Sequence, residues 1–223
     1  MRAALSRATL DRARRELRRP GITIVPRVVL PTAARHSSDS PEWFTPRPIV
    51  DAAREVLGGI DLDPASHREA NRIVCAEQIY DERANGLRRP WSGRVFLNPP
   101  GGLVAEFWHR LIDAWEAREI SAAIWIGYSL EQLQTLQGYE VRSPLAFPIC
   151  IPDRRIAFVE STAKRALRRQ VLEEENRGRR REGLELKKWK EAAQPSHANY
   201  VTYIGRAPAR FARVFGGFGE VRR

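Results

Sequence analysis

Apolar and polar residues change period several times along the chain, and the changes mark its elements. Residues 1–20 read as a short basic helix stopped by Pro20-Gly21, and residues 21–40 as an extended linker rich in Pro, Ser and Thr. A core opens at Pro41-Glu42-Trp43-Phe44-Thr45-Pro46. Ile49, Ala52, Ala53, Val56 and Leu57 then recur at helical spacing, which predicts a helix over 48–57 with Gly58-Gly59 as its stop. Residues 60–63 form a short strand entering a Pro64-Ala65-Ser66 turn. The stretch 67–90 is polar and irregular, with a helix over 68–76. Residues 94–97 read as a strand running into Asn98-Pro99-Pro100-Gly101-Gly102. Helical period returns over 103–117, followed by a strand at 121–126 and a helix over 129–137 closed by Gly138. Further strands are expected at 146–151, 156–159 and 200–204. Strands alternating with helices, and polar signatures just past strand ends, predict an open α/β sheet with ligands at the carboxyl ends of its strands.

Charge divides the chain in a second way. The net charge is +11. Residues 1–35 carry nine arginines against Asp11 and Glu16. Residues 163–193 carry eleven Lys or Arg against six Glu, and residues 206–223 five Arg against Glu220. Residues 36–162 are mildly acidic, with 13 basic and 18 acidic side chains. The expected organisation is therefore a basic arm and linker (1–40), an α/β domain (41–205) bearing a charged helical insertion (163–193), and a basic tail (206–223). Excess positive charge confined to peripheral segments suits a polyanionic partner, because phosphate contacts supply sequence-independent affinity. Double-stranded DNA is the expected partner, with Arg14, Arg15, Arg179, Arg180, Lys187 and Lys188 as candidate contacts. A solvated charged surface is the plain alternative.

The remaining composition narrows the classes. The longest apolar runs fall far short of the ~20 residues of a membrane span, so no membrane partner is expected. The arginine-rich N-terminus lacks the apolar segment and cleavage site of a secretory signal, and a basic arm is preferred over a transit peptide. Cys75 and Cys150 form no metal or redox spacing, and His36, His67, His109 and His197 are scattered. The expectation is a cytoplasmic, reduced, metal-free protein.

One short segment has the composition that amine methylation demands. The lone pair of an exocyclic base amine is delocalised into the ring, so a site must accept hydrogen bonds from its N–H groups to turn that density toward a methyl donor. Asn98 offers a side-chain carbonyl and Pro99 a backbone carbonyl. Pro99 and Pro100 also remove two competing N–H donors. Asp61-Leu62-Asp63-Pro64-Ala65-Ser66 follows a strand, where a carboxylate and a tight turn would suit a nucleoside-type cofactor. Thr45 in Trp43-Phe44-Thr45-Pro46 would bind a ligand carboxylate. Plain structural roles stay open for each: a turn at 98–102, a helix cap at the end of 61–66, and an N-cap at Thr45.

At these residues the chain resembles the phage-type DNA N6-adenine methyltransferases. The likeness is carried by Glu42 to Pro46, by Leu62 to Ala65, by Gly86-Leu87 with Trp91-Ser92-Gly93, and by Asn98-Pro99-Pro100. It spans about residues 41–160 and resumes near 195–205. The resemblance implies a Rossmann-like class I methyltransferase sheet that uses S-adenosyl-L-methionine. It implies that Thr45, Asp61, Asp63 and Pro64 hold that cofactor and that Asn98, Pro99 and Pro100 hold the target amine. Two positions depart from the family pattern. Gly101 stands where an aromatic residue stacks on the extruded base, for which Tyr128 is the substitute candidate. Asn85 replaces the Asp before Gly-Leu. The rival readings are a nucleic-acid-binding module that has lost catalysis, and a methyltransferase of RNA or protein.

Overall fold

The computed structural model describes residues 43–127, 129–137, 141–190 and 198–222. All of them belong to the unit formed by residues 37–223. Their strands are β1 (Trp43–Phe44), β2 (Leu62–Asp63), β3 (Gln78–Ile79), β4 (Gly93–Leu97), β5 (Ile120–Gly127), β6 (Ile149–Pro152), β7 (Val159–Glu160), β8 (Tyr200–Ile204) and β9 (Gly219–Arg222). Their α-helices are α1 (Arg47–Leu57), α2 (Arg68–Val74), α3 (Val104–Glu116), α4 (Leu130–Gln137), α5 (Thr162–Arg181) and α6 (Pro208–Phe215).

Seven strands form one mixed sheet in the order β3-β2-β4-β5-β8-β6-β9. The first four run parallel, while β8, β6 and β9 each pair antiparallel to the neighbour before them. Strands β1 and β7 form a separate antiparallel ribbon, with Trp43 opposite Glu160 and Phe44 opposite Val159. The protein is thus an α/β domain with a mixed, largely parallel sheet.

Period-two alternation sorts the strands' side chains between two cores. Phe96, Ile124, Ile126, Val201 and Tyr203 face α1, α2 and α6, meeting Ile49, Val56, Val74, Phe211 and Phe215. Val95, Leu97, Ala123, Trp125 and Tyr200 face α3 and α4, meeting Phe107, Trp108, Leu111, Leu133 and Leu136. Helix α1 is laid down by the predicted stripe and closed by Gly58 in the left-handed region (φ 78°), whose N–H donates to the Arg54 carbonyl at 2.8 Å.

Four expectations need correction. Residues 206–223 are not a tail. Helix α6 buries Phe211 and Phe215 completely, and β9 extends the sheet beyond β6. Of the strand expected at 156–159, only Val159 pairs, and it pairs with β1 outside the main sheet. The strand expected at 146–151 is confined to β6, because Pro144–Ala146 form a 3-10 turn. The charged insertion is helical only to Arg181. Gly183 adopts φ 69°, and the Gly183 and Leu184 amides donate to the Arg180 and Arg179 carbonyls, which turns the chain back. Among the described residues no helix is long and apolar enough to cross a membrane, and no group of His, Cys, Asp or Glu is placed to hold a metal ion.

Candidate functional site

The sheet reverses its winding between β2 and β4. The chain leaves β2 for β3 on one side, then returns across to β4 and on to β5. In open α/β sheets the crevice outside the carboxyl ends at such a reversal is where ligands bind. Two expected segments meet there. Asp63-Pro64-Ala65-Ser66 leaves the end of β2, and Asn98-Pro99-Pro100 leaves the end of β4. Leu62 stands beside Val95 in the parallel register. Asp63 therefore lies two residues short of Asn98's level, a separation of roughly 8 Å from strand rise and spacing.

Asn98 is fixed by one bond. Its Nδ2 donates to the Trp43 carbonyl at 3.2 Å. A carbonyl needs a donor, so this bond sets which way the amide faces and leaves Oδ1 as the acceptor. Pro99 is buried and Pro100 half-buried. The next turn closes through the Leu103 amide on the Pro100 carbonyl (2.9 Å), so the Pro99 carbonyl stays out of that bond. A Cβ on Gly102 would meet nothing within 4 Å, so the chain just past Pro100 borders open space.

Asp63 is 3% exposed. Its Oδ1 accepts from the Ala65 amide at 3.2 Å, and the Ser66 side chain lies near the carboxyl without a hydrogen-bond partner of its own. Burial pushes the carboxyl up to about 7, against the opposing pull of the Ala65 amide and the nearby Ser66 hydroxyl. Gly86 holds this turn from behind. A Cβ there would strike the Pro64 carbonyl, and the Gly86 carbonyl accepts from Trp91 Nε1 at 2.8 Å. The spaced Gly-Leu and Trp elements are thus the packing that shapes the Asp63-Pro64 turn.

Three buried polar atoms in or around this turn lack hydrogen-bond partners, Ser66 Oγ among them. Thr45, 3% exposed, leaves its Oγ1 unbonded. The N-cap of α1 is Pro46 and no side chain caps it, so Thr45 does not serve as a cap. His67 caps α2 by accepting from the Glu69 amide at Nδ1 (3.2 Å), which makes the neutral ring's Nε2 the N–H donor, and that atom is buried and unpaired. The Phe44 ring meets the His67 ring edge-on at 4.9 Å. His67 was not singled out from the sequence, and its place directly after Asp63–Ser66 was the available signal. Asp81 was also missed. It stands just past β3, 18 positions after Asp63, at the neighbouring carboxyl end, and accepts from the Ala84 amide at 2.8 Å. Spacing from a first strand-turn to an acidic residue about 20 on is a ribose-binding signal.

Asp61 is a correction. It lies beside the start of β4, at the opposite end of the parallel strands from Asn98, where its amide donates to the Arg94 carbonyl. Its carboxylate accepts from the Arg94 amide (2.6 Å) and Nε (2.8 Å), and its other oxygen pairs with Arg94 NH2. Gly93, at φ 72°, is packed against the same carboxylate. These Arg94 hydrogen bonds hold the Asp61 carboxyl below the usual range. Asp61 clamps two strands, and both of its carboxylate oxygens are engaged by Arg94.

The remaining expected contacts sit on the insertion. Arg179 Nε donates to the Glu185 carbonyl, Lys187 pairs with Glu175 at 3.0 Å, and Arg180 and Lys188 are exposed. Arg14, Arg15 and Tyr128, with the arm and linker at 1–40, lie outside the described residues. No family model, curated protein or solved structure matches the chain.

Proposed function

We propose that the protein is an S-adenosyl-L-methionine-dependent methyltransferase that modifies an exocyclic amine of DNA, with adenine N6 as the target. The observation that carries the reading is the Asn98 side chain. It is clamped through its nitrogen by the Trp43 carbonyl, with its oxygen free, at the carboxyl end of β4 where the sheet reverses. The sheet order, four parallel strands followed by an antiparallel insertion, is compatible with the Rossmann-like class I fold that the family resemblance implies.

The crevice suits the cofactor. Asp63 offers a carboxyl that a positively charged or hydroxyl-bearing ligand would satisfy, and Thr45 Oγ1 and His67 Nε2 are unpaired buried groups beside it. Asp81, just past the neighbouring strand end, would take the ribose hydroxyls. When bound, the cofactor supplies a methyl group already activated on a sulfonium. The chain's own part is positioning. Asn98 Oδ1 and the Pro99 carbonyl accept the two amine N–H groups, which concentrates electron density on the nitrogen. That nitrogen would take the methyl as the methyl–sulfur bond breaks, leaving the cofactor as the neutral thioether S-adenosyl-L-homocysteine, and one amine proton would leave to solvent. Pro99 and Pro100 keep amide donors away from the reacting atom.

The test is transfer of labelled methyl to DNA by the purified chain, followed by nucleoside mass spectrometry of the product. Asn98→Ala removes transfer and keeps cofactor binding. Cofactor binding without transfer to DNA, RNA or protein by the unaltered chain would instead favour a binding module, the reading that Gly101 supports.

A further inference from the structure

Helix α5 and the returning segment 184–190 make an arm whose root is fastened to the strand that holds Asn98. Asn98 Nδ2 donates to the Trp43 carbonyl, and Trp43 pairs with Glu160 across the β1–β7 ribbon. The Glu160 carboxylate, 8% exposed, holds Arg168 NH1 at 2.9 Å. The Lys164 ammonium lies 4.4 Å from the centre of the Trp43 ring. Both cations belong to the first two turns of α5.

The same root holds the returning segment. Arg168 NH2 donates to the Lys190 carbonyl at 2.8 Å, and the Arg168 and Arg169 guanidinium groups lie 4.8 and 5.3 Å from the Trp189 ring centre. Farther out, Asn176 exchanges two bonds of 2.9 and 2.8 Å with the Lys187 backbone, as a strand partner would. Between helix and segment lies a cavity of about 690 Å³. Arg168, Arg179, Lys187, Lys188 and Lys190 line it together with Leu172, Leu186 and Trp189, and Glu185 is its one carboxylate.

We propose that the arm is a lever on the Asn98 amide: DNA phosphates seated in this cationic cleft are registered to Asn98 through Arg168, Glu160, Lys164 and Trp43, with Lys164 and Trp43 as positioning residues. The inference rests on the amine-methylation reading above. Arg168 is shared between the cleft and Glu160, so a phosphate that recruits it loosens its hold on Glu160. The link is soft where it must move, because the β1–β7 ribbon has two residue pairs and no further strand beside it. The indole face under Lys164 keeps Trp43, and with it the carbonyl that Asn98 uses, tied to the helix.

The full chain is labelled with 5-fluorotryptophan, the Trp43 resonance is assigned with Trp43→Phe, and a short DNA duplex is titrated in. Saturating duplex shifts the Trp43 line in the unaltered chain and shifts it distinctly less in Lys164→Ala, where only the route through Glu160 remains. In steady-state transfer, Lys164→Ala lowers kcat about fivefold, with KM for DNA and cofactor affinity unchanged, and Lys164→Arg restores most of the loss. Lys188→Ala, in the cleft, instead raises KM at constant kcat. A Trp43 line that ignores saturating duplex, or moves equally in Lys164→Ala, overturns the lever, as does a Lys164→Ala effect on KM alone. If duplex moves Trp43 as expected while the unaltered chain methylates nothing, the methyltransferase reading fails and the coupling stands.

Discussion

Asp61 and Asp63 belong to the same strand segment and respond oppositely to pH. Asp61 is held below its ordinary range by Arg94, so its contribution is present above about pH 4 and is lost as pH falls through the folded value. Asp61→Ala is expected to cost ~1–3 kcal/mol in denaturant unfolding at pH 7 while leaving cofactor affinity unchanged in calorimetry. A lost cofactor site in that variant would return Asp61 to the crevice. Asp63 is raised to about 7 by burial, so folding takes up a proton between about pH 4 and 7, and stability falls as pH rises through that window. Asp63→Asn removes this slope in melting curves, raises Tm at pH 8 without ligand, and weakens cofactor binding. A variant that melts lower than the unaltered chain at pH 8 would show that the charged form is satisfied. Asp63 and Asn98 were legible in the sequence because each ends a strand and opens a turn. Asp61 was misread because its partner, Arg94, is 33 positions away and no local pattern announces the pair. Thr45 was left between two roles, and Pro46 removes the capping one by taking the cap position.

At the scale of elements, the arm is the part that the domain's core does not require. None of the 20 residues of α5 is buried, and Leu167 and Val171 are 60% and 52% exposed. Ordering costs roughly 1–2 kcal/mol per residue, and no apolar burial offsets it here. Local bonds do that work instead: Ser161 Oγ caps the helix by accepting from the Lys164 amide, and Thr162 bonds to Glu69 Oε1 on α2. Excising residues 169–188 with a short Gly-Ser joint is therefore expected to shift Tm by only a few degrees while DNA affinity drops at least tenfold in anisotropy titrations. A cooperative collapse of the whole fold would show that the arm supports the sheet. The helices with wide apolar stripes, α1 and α3, were legible from periodicity. Strand β3 was not, because two residues with an exposed Gln78 make no alternating run. Helix α6 was hidden by its arginines, although Phe211, Val214 and Phe215 recur at helical spacing between Pro208 and Gly216.

For the whole molecule, charge is divided by region. Basic segments at 1–35 and 163–193 flank a mildly acidic 36–162. Such a distribution predicts that affinity for DNA is the sum of separable electrostatic parts. Trimming residues 1–35 is expected to weaken duplex binding and to flatten the plot of log affinity against log salt. An unchanged slope would remove these arginines from the interface. The fold class was legible in the strand and helix alternation, whereas the strand order was not, because pairing between distant segments leaves no periodic trace.

That order has a consequence for how the chain is made. Strand β8 sits between β5 and β6 yet is synthesised after both. A nascent chain must therefore keep two finished apolar strands apart, Ala123–Ile126 among them, until residues 200–204 leave the ribosome. Insertion of a late central strand is a high-contact-order step, so maturation should be slow, with its vulnerable interval lasting until residues 200–204 have been made and docked.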